Sequence, residues 1–160
     1  DLWCELGLAG HVSIWQQCGD RNRAKADECW QHSRFSGQRV DNYIDDVAEA
    51  YRWADVVIAR AGALTISELA ATASPSVLIP LPHAIDDHQT ANAKVLSEVN
   101  AAVLLPQSEA TSERLATQLV SWINNPQALA KMGCAAGAIA ASEAAQSVAD
   151  IMQEVVRARG

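Results

Sequence analysis

The sequence predicts an α/β fold built on a doubly wound parallel sheet with helices on both faces. Short apolar segments alternate along the chain with longer segments of helical periodicity, a pattern typical of β/α units. Segments 55–59 (DVVIA) and 101–106 (AAVLLP) are almost continuously apolar, as strands buried on both faces are. With 160 residues, 49% hydrophobic and 19% charged, the chain has the size and composition of one globular domain.

The amino-terminal half alternates strand and helix. Segment 11–17 (HVSIWQQ) alternates in polarity and favours a strand, whereas 20–33 is polar and favours a helix. Segment 39–45 predicts the second strand, and 46–54 (DVAEAYRWA) predicts a short helix capped by Asp45 or Asp46. The run 55–59 predicts the third strand, and 65–73 (TISELAATA) the helix after it.

The carboxyl-terminal half continues the pattern and then becomes helical. Segment 76–82 (SVLIPLP) predicts a fourth strand that prolines end, and 101–106 predicts the fifth. Between them, 86–100 predicts a helix with Asp86 or Asp87 near its start. Pro126 suits the first turn of a helix. The remaining predicted helices are 112–125, 126–141 and 142–159.

Charge and cysteine content exclude several classes. The net charge is −7, whereas nucleic acid and anionic membrane surfaces require basic patches. The apolar runs are too short to span a bilayer. No pair of the four cysteines has CxxC spacing, so we expect free, buried or half-buried thiols of a reducing cytosol rather than a zinc or redox site.

The turn between the third strand and its helix, RAGAL at 60–64, consists mostly of small residues. Gly62 permits unusual backbone angles and Ala61 and Ala63 keep side chains away, so the first helix amides would face outward and bind a diphosphate. Thr65 adds a hydroxyl, and Glu68 a carboxylate for ribose hydroxyls. The same TISE segment also fits a capping box, with Thr65 as the cap and Glu68 at the third helical position.

A polar cluster follows the fourth strand at the same predicted edge of the sheet. Gln and Asn offer paired donors and acceptors to vicinal sugar hydroxyls, and the spacing fits no common metal motif. The cluster therefore favours sugar binding, although helix capping is an ordinary alternative. Its members are His83, Asp86, Asp87, His88, Gln89 and Asn92.

Four segments, IWQQCG, YIDD, WADVVIARAGALTISE and DDHQTANA, together resemble the carboxyl-terminal half of the MurG family of bacterial glycosyltransferases. The resemblance implies a Rossmann-like domain, the donor half of a GT-B enzyme that moves GlcNAc from UDP-GlcNAc to the C4 hydroxyl of lipid I. No cofactor is implied beyond this donor substrate. By position, Ile44 would contact uracil, Gln89 the GlcNAc hydroxyls, Glu68 the ribose, and the remaining donor contacts would come from Ala63, Leu64, Thr65, Ile66 and Ser67.

The resemblance also implies parts that the chain lacks. We expect residues 1–160 to form a single partial domain with a helical carboxyl-terminal tail, without the family's first strand and without its amino-terminal domain. That absent domain would supply the catalytic base, the lipid I site and contact with the cytoplasmic face of the inner membrane. Two alternatives remain open: a non-catalytic nucleotide-sugar-binding subunit of a split transferase, and a UDP-sugar epimerase using His83, Asp86, Asp87 or His88.

Overall fold

The structure, a computed structural model, describes residues 5, 8–33, 35–82 and 87–158. The described residues contain five strands, six α-helices and three short 3₁₀ turns. The strands are β1 Ile14–Gln17, β2 Gln38–Asp41, β3 Val57–Ala59, β4 Ser76–Leu78 and β5 Ala102–Leu104. The α-helices are α1 Arg23–Gln31, α2 Val47–Trp53, α3 Ala63–Ala71, α4 His88–Ser97, α5 Ser112–Asn124 and α6 Pro126–Ala158. The 3₁₀ turns cover Leu8–Gly10, Asp20–Asn22 and Gln107–Glu109.

All strand pairings are parallel, which confirms the predicted fold class. The hydrogen bonds form two ladders, β1–β2 and β3–β4–β5, where one sheet was predicted.

The chain packs as two compact units. The first comprises the described residues up to Trp53 together with Ser108–Pro126. In this unit β1 and β2 pair in the register Ile14 with Gln38. Its buried side chains come from the chain before β1, from α1, from the segment before β2 and from α5: Leu8, Ala26, Phe35, Ala116, Leu119 and Trp122.

The second unit comprises Ala54–Gln107 and the chain from Gln127 onward. Strand β4 lies between β3 and β5, and its three residues, Ser76–Leu78, are all buried. Leu69 of α3 and Leu96 of α4 are buried with them. The buried β4 agrees with what a continuous hydrophobic run predicts, whereas β3 does not, because its Ile58 is 43% exposed.

Several predicted boundaries differ from the structure. Residues 126–141 and 142–159 were predicted as two helices, but one helix runs through Pro126–Ala158, because Ser142 is preceded by alanines and by no proline or other stop signal. Asp46 is the cap predicted for α2, since its Oδ1 accepts from Glu49 N–H at 2.8 Å. Cys18 is half-buried as expected, but Cys29 and Cys134 are exposed.

Helix α6 makes a close approach to the end of α3. Ala73 has a φ of 52°, and the amides of Ala73 and Ser74 bond back to Ala70 and Leu69, which ends α3 in the left-handed manner common at helix termini. A Cβ at Gly133 of α6 would lie 2.8 Å from the Ala73 carbonyl oxygen. Glycine is required at position 133 by this contact.

Replacing Gly133 with alanine should therefore lower stability. In an unobstructed helix interior this change stabilises by about 1 kcal/mol. Here the methyl group would meet a backbone oxygen, and overpacking of this kind costs about 1–3 kcal/mol. Denaturant unfolding should show a net loss of stability for Gly133→Ala and little change for Gly137→Ala. Among the described residues, a Cβ at Gly137 would meet a side-chain carbon, the Ala73 Cβ at 3.3 Å, and no backbone oxygen. A gain in stability for Gly133→Ala would contradict the contact.

Candidate functional site

The turn from β3 to α3 presents free helix amides. Gly62 is the N-cap of α3, and the Ile66 N–H is the first amide to bond back, to the Gly62 carbonyl at 3.0 Å. The N–H groups of Ala63, Leu64 and Thr65 precede that bond and have no acceptor within the helix. Three amides at the positive end of a helix dipole form a favourable site for an anion.

The predicted reason for Gly62 is wrong in one respect. Its φ is −66° and its ψ is 148°, an extended conformation that any residue adopts. Among the described residues, a Cβ at Gly62 would have only Thr65 Oγ1 within 4 Å beyond its chain neighbours, at 3.7 Å. Glycine is therefore not required by the backbone, and what it provides is open space beside the Thr65 hydroxyl.

The capping-box interpretation of TISE is wrong. Helix α3 begins at Ala63, two residues earlier than predicted, because the small residues and the extended Gly62 allow the chain to turn sooner. Thr65 is thus the third helical residue and Glu68 the sixth, and Gly62 makes no side-chain cap. Glu68 is half-buried, and as the sixth residue it lies beyond the first helical turn.

The other predicted residues of α3 differ in exposure. Leu64 is 73% exposed and Ser67 is exposed as well, whereas Ile66 is buried, with 7% of its surface exposed. The Ile66 side chain therefore contributes to the core. A bound ligand would meet this helix through the backbone of its first turn and the side chains around it.

Gln89 lies in the first turn of α4. Its Oε1 accepts a hydrogen bond from the Leu81 N–H at 2.9 Å, so the carbonyl end of the side chain holds the loop after β4. The amide NH₂ group of Gln89 supplies two further donors. Gln89 is half-buried, and its hydrogen bond to the loop fixes the carbonyl end of the side chain.

Sequence reasoning assigned no role to Arg60 and treated Asn92 only as a sugar ligand or a helix-capping residue. In the structure Arg60 Nη1 donates to the carbonyls of Ile79 and Pro80, both at 3.1 Å. Asn92 Nδ2 donates to the Ala61 carbonyl at 3.1 Å. The sequence signal that could have identified Arg60 is its place at the start of the small-residue turn 60–64, because a long donor side chain there can reach the end of the neighbouring strand.

The remaining residues of the predicted polar cluster either precede α4 in the chain or begin it. Asp87 has a left-handed φ of 53° and is the N-cap of α4 without a side-chain cap bond. Asp87 and His88 are both exposed, and His83 and Asp86 lie outside the described residues. Within the described ranges, no group of three His, Cys, Asp or Glu side chains could hold a metal ion.

Ile44, the predicted uracil contact, lies in the first unit. Its N–H donates to Gln17 Oε1 at 2.9 Å, a bond from the end of β1 to the loop that follows β2. Ile44 itself is half-buried. The backbone of this loop is thus held by a side chain from the adjacent strand, at the carboxyl ends where parallel sheets bind ligands.

Parallel strands that alternate with helices and end in loops at one edge of the sheet define an α/β domain of the Rossmann-like class. The chain belongs to glycosyltransferase family 28: residues 4–155 match the model of its C-terminal domain. Among the part of the chain that the structure describes, no helix has the length and apolarity needed for a membrane span.

Curated relatives agree with the family. The chain is 47% identical over 154 residues to the UDP-N-acetylglucosamine–N-acetylmuramyl-(pentapeptide) pyrophosphoryl-undecaprenol N-acetylglucosamine transferase of Shewanella denitrificans, covering 96% of this chain and 42% of that protein. The protein of the same name from Colwellia psychrerythraea is 45% identical over 149 residues, with 92% and 38% covered. The chain thus spans about two fifths of the length of these relatives.

Solved structures agree with the fold. The crystal structure of Acinetobacter baumannii MurG superposes with a TM-score of 0.73 at 37% identity, covering 89% of this chain and 43% of that one. A glycotransferase of kitacinnamycin has a TM-score of 0.61 at 19% identity, with 89% and 34% covered. The second likeness supports the fold alone.

Proposed function

We propose that this chain is the donor-binding half of an inverting glycosyltransferase that moves GlcNAc from UDP-GlcNAc to the C4 hydroxyl of the lipid-linked MurNAc of lipid I, giving lipid II for peptidoglycan. The observation that carries the proposal is the exposed first turn of α3, whose three amides have no helical acceptor and follow the open Gly62. The names and identities of the curated relatives support the donor and the acceptor.

The proposed contacts follow from these positions. Amides of Ala63, Leu64 and Thr65 bind the diphosphate, with the Thr65 hydroxyl as a further donor. Glu68 accepts hydrogen bonds from the ribose, and Gln89 meets the GlcNAc hydroxyls. In the first unit, the Ile44 backbone contacts uracil, and Ile66 and Ser67 complete the helix turn.

The proposed chemistry is one displacement at the anomeric carbon. The C4 oxygen of MurNAc forms the new bond to that carbon from the face opposite the diphosphate. The carbon–oxygen bond to the diphosphate breaks, and UDP leaves with the electron pair, so the configuration inverts. Helix amides stabilise the charge that grows on the leaving group. The proton of the attacking hydroxyl goes to a base on an amino-terminal domain, which we also propose to carry the lipid I site and the contact with the cytoplasmic face of the inner membrane.

Calorimetric binding to the 160-residue chain tests this function. UDP and UDP-GlcNAc should both bind, UDP-glucose should bind less tightly than UDP-GlcNAc, and ADP should not compete. The chain alone should give no lipid II from UDP-GlcNAc and a lipid I analogue, since acceptor site and base lie elsewhere. Absence of UDP binding by the folded chain would refute the donor role. Turnover by the chain alone would refute the assignment of the acceptor site and the base to an amino-terminal domain.

Gln89 gives a selective prediction. Gln89→Ala should weaken UDP-GlcNAc binding about 10-fold, as loss of sugar hydrogen bonds does, and leave UDP within about twofold. Gln89→Glu retains an acceptor for the Leu81 N–H but has no NH₂ donors, so it should weaken UDP-GlcNAc as well. If Gln89→Glu keeps the wild-type affinity for UDP-GlcNAc, Gln89 acts on the loop and not on the sugar.

A further inference from the structure

Three segments of the second unit meet at the carboxyl edge of its sheet and are joined in pairs by side chains. Arg60 joins the β3–α3 turn to the β4–α4 loop through the carbonyls of Ile79 and Pro80. Gln89 joins α4 to that loop through the Leu81 N–H. Asn92 joins α4 to the turn through the Ala61 carbonyl. The hydrogen bonds therefore form a closed ring, named here the edge ring, of Arg60, Gln89 and Asn92.

A closed ring restrains its segments more than separate bonds do. Loops at a sheet edge belong to the least stable parts of a fold, and a segment held at one point can still pivot about it. In the edge ring every segment is held to both of the others, so no segment moves without breaking a hydrogen bond. Ala61 has no solvent exposure, which makes its carbonyl dependent on a protein donor.

The ring connects the two ends of the proposed donor site. The β3–α3 turn leads directly into the amides assigned to the diphosphate, and α4 carries Gln89, assigned to the sugar. Asn92 lies three residues after Gln89 on the same helix face, yet its amide is directed to the turn. The distance between the diphosphate contacts and the sugar contact is thus set by Arg60 and Asn92.

We infer that Arg60 and Asn92 are positioning residues for UDP-GlcNAc, a role that rests on the proposed function. They hold the α3 amides and Gln89 at the separation that lets one donor molecule engage both. Arg60 acts through the loop carbonyls and not as a counter-charge to the diphosphate. Ligands that use only one end of the site, such as UDP, gain little from this restraint.

Binding of UDP and UDP-GlcNAc to Arg60→Met, Asn92→Ala and the double variant tests the inference. Each single change should weaken UDP-GlcNAc about 3- to 10-fold, as much as the loss of one hydrogen bond to the sugar would, and should leave UDP within about twofold. The double variant should lose no more than the weaker-binding single variant, because one break already opens the ring. Lys94→Met, an exposed cation on α4, is the control and should bind both ligands normally.

Other results would overturn the inference in distinct ways. Equal losses for UDP and UDP-GlcNAc in Arg60→Met would assign Arg60 to the charge of the diphosphate. Losses that multiply in the double variant would mean independent contacts, including a direct contact of Asn92 with the sugar. Arg60 is exposed, so the fold should tolerate Arg60→Met. Unchanged affinities in this variant would show that the edge ring has no role in binding. Failure of the unaltered folded chain to bind UDP would refute the proposed function itself.

Discussion

Replacing Gly62 with valine is expected to weaken UDP binding at least 100-fold while the fold is retained. The backbone at Gly62 is extended, which β-branched residues favour. Its new Cβ would lie 3.7 Å from Thr65 Oγ1, an ordinary contact, so we expect a stability change of about 1 kcal/mol, the effect of a poorer N-cap. The valine methyl groups would instead fill the space beside the hydroxyl that we assign to the diphosphate.

Calorimetry with UDP, together with thermal unfolding of the same samples, separates these effects. Gly62→Ala is the graded control: it adds only the Cβ and should weaken UDP by about 10-fold or less. If the valine variant binds UDP as tightly as the unaltered chain, the turn only connects β3 to α3 and has no role in binding. A valine variant that unfolds would contradict the open space seen around Gly62.

Glu68→Ala is expected to weaken UDP and UDP-GlcNAc alike, by about 10- to 150-fold. Two hydrogen bonds from ribose hydroxyls to a charged group are worth about 1.5–3 kcal/mol of binding, and 1.4 kcal/mol corresponds to a tenfold change in affinity. Both ligands contain the ribose, so both should lose equally. Glu68 is the sixth residue of α3 and no part of a capping box, so we expect stability to change by about 1 kcal/mol or less.

The matched control is Glu98→Ala, which removes an exposed carboxylate at the end of α4 and should leave both affinities unchanged. Glu68→Gln keeps the shape and one acceptor and should lie between the wild type and Glu68→Ala. A loss confined to UDP-GlcNAc would move Glu68 to the sugar. A loss of stability with both affinities intact would make its role structural.

Most of the fold was predictable because it depends on local pattern. Continuous apolar runs predicted β3, β4 and β5, and helical periodicity with Pro126 predicted the start of α6. Boundaries were less accurate: β4 ends at Leu78 and not at residue 82, since the prolines that follow cannot continue the ladder. The break predicted at residue 142 is absent, because a helix continues wherever no residue forces it to stop.

The sequence by itself determined the class of domain and where its site is proposed. Small residues between an apolar strand and a helix leave room around the first helix amides, and this local pattern can be recognised without knowledge of the packing. The tertiary structure decided how that turn is used. It set the start of α3 at Ala63, gave Gly62 an ordinary φ, and directed Arg60 and Asn92 to carbonyls of neighbouring segments. These outcomes depend on groups 19 to 31 residues apart in the chain, and no local pattern specifies which distant carbonyl a side chain will reach.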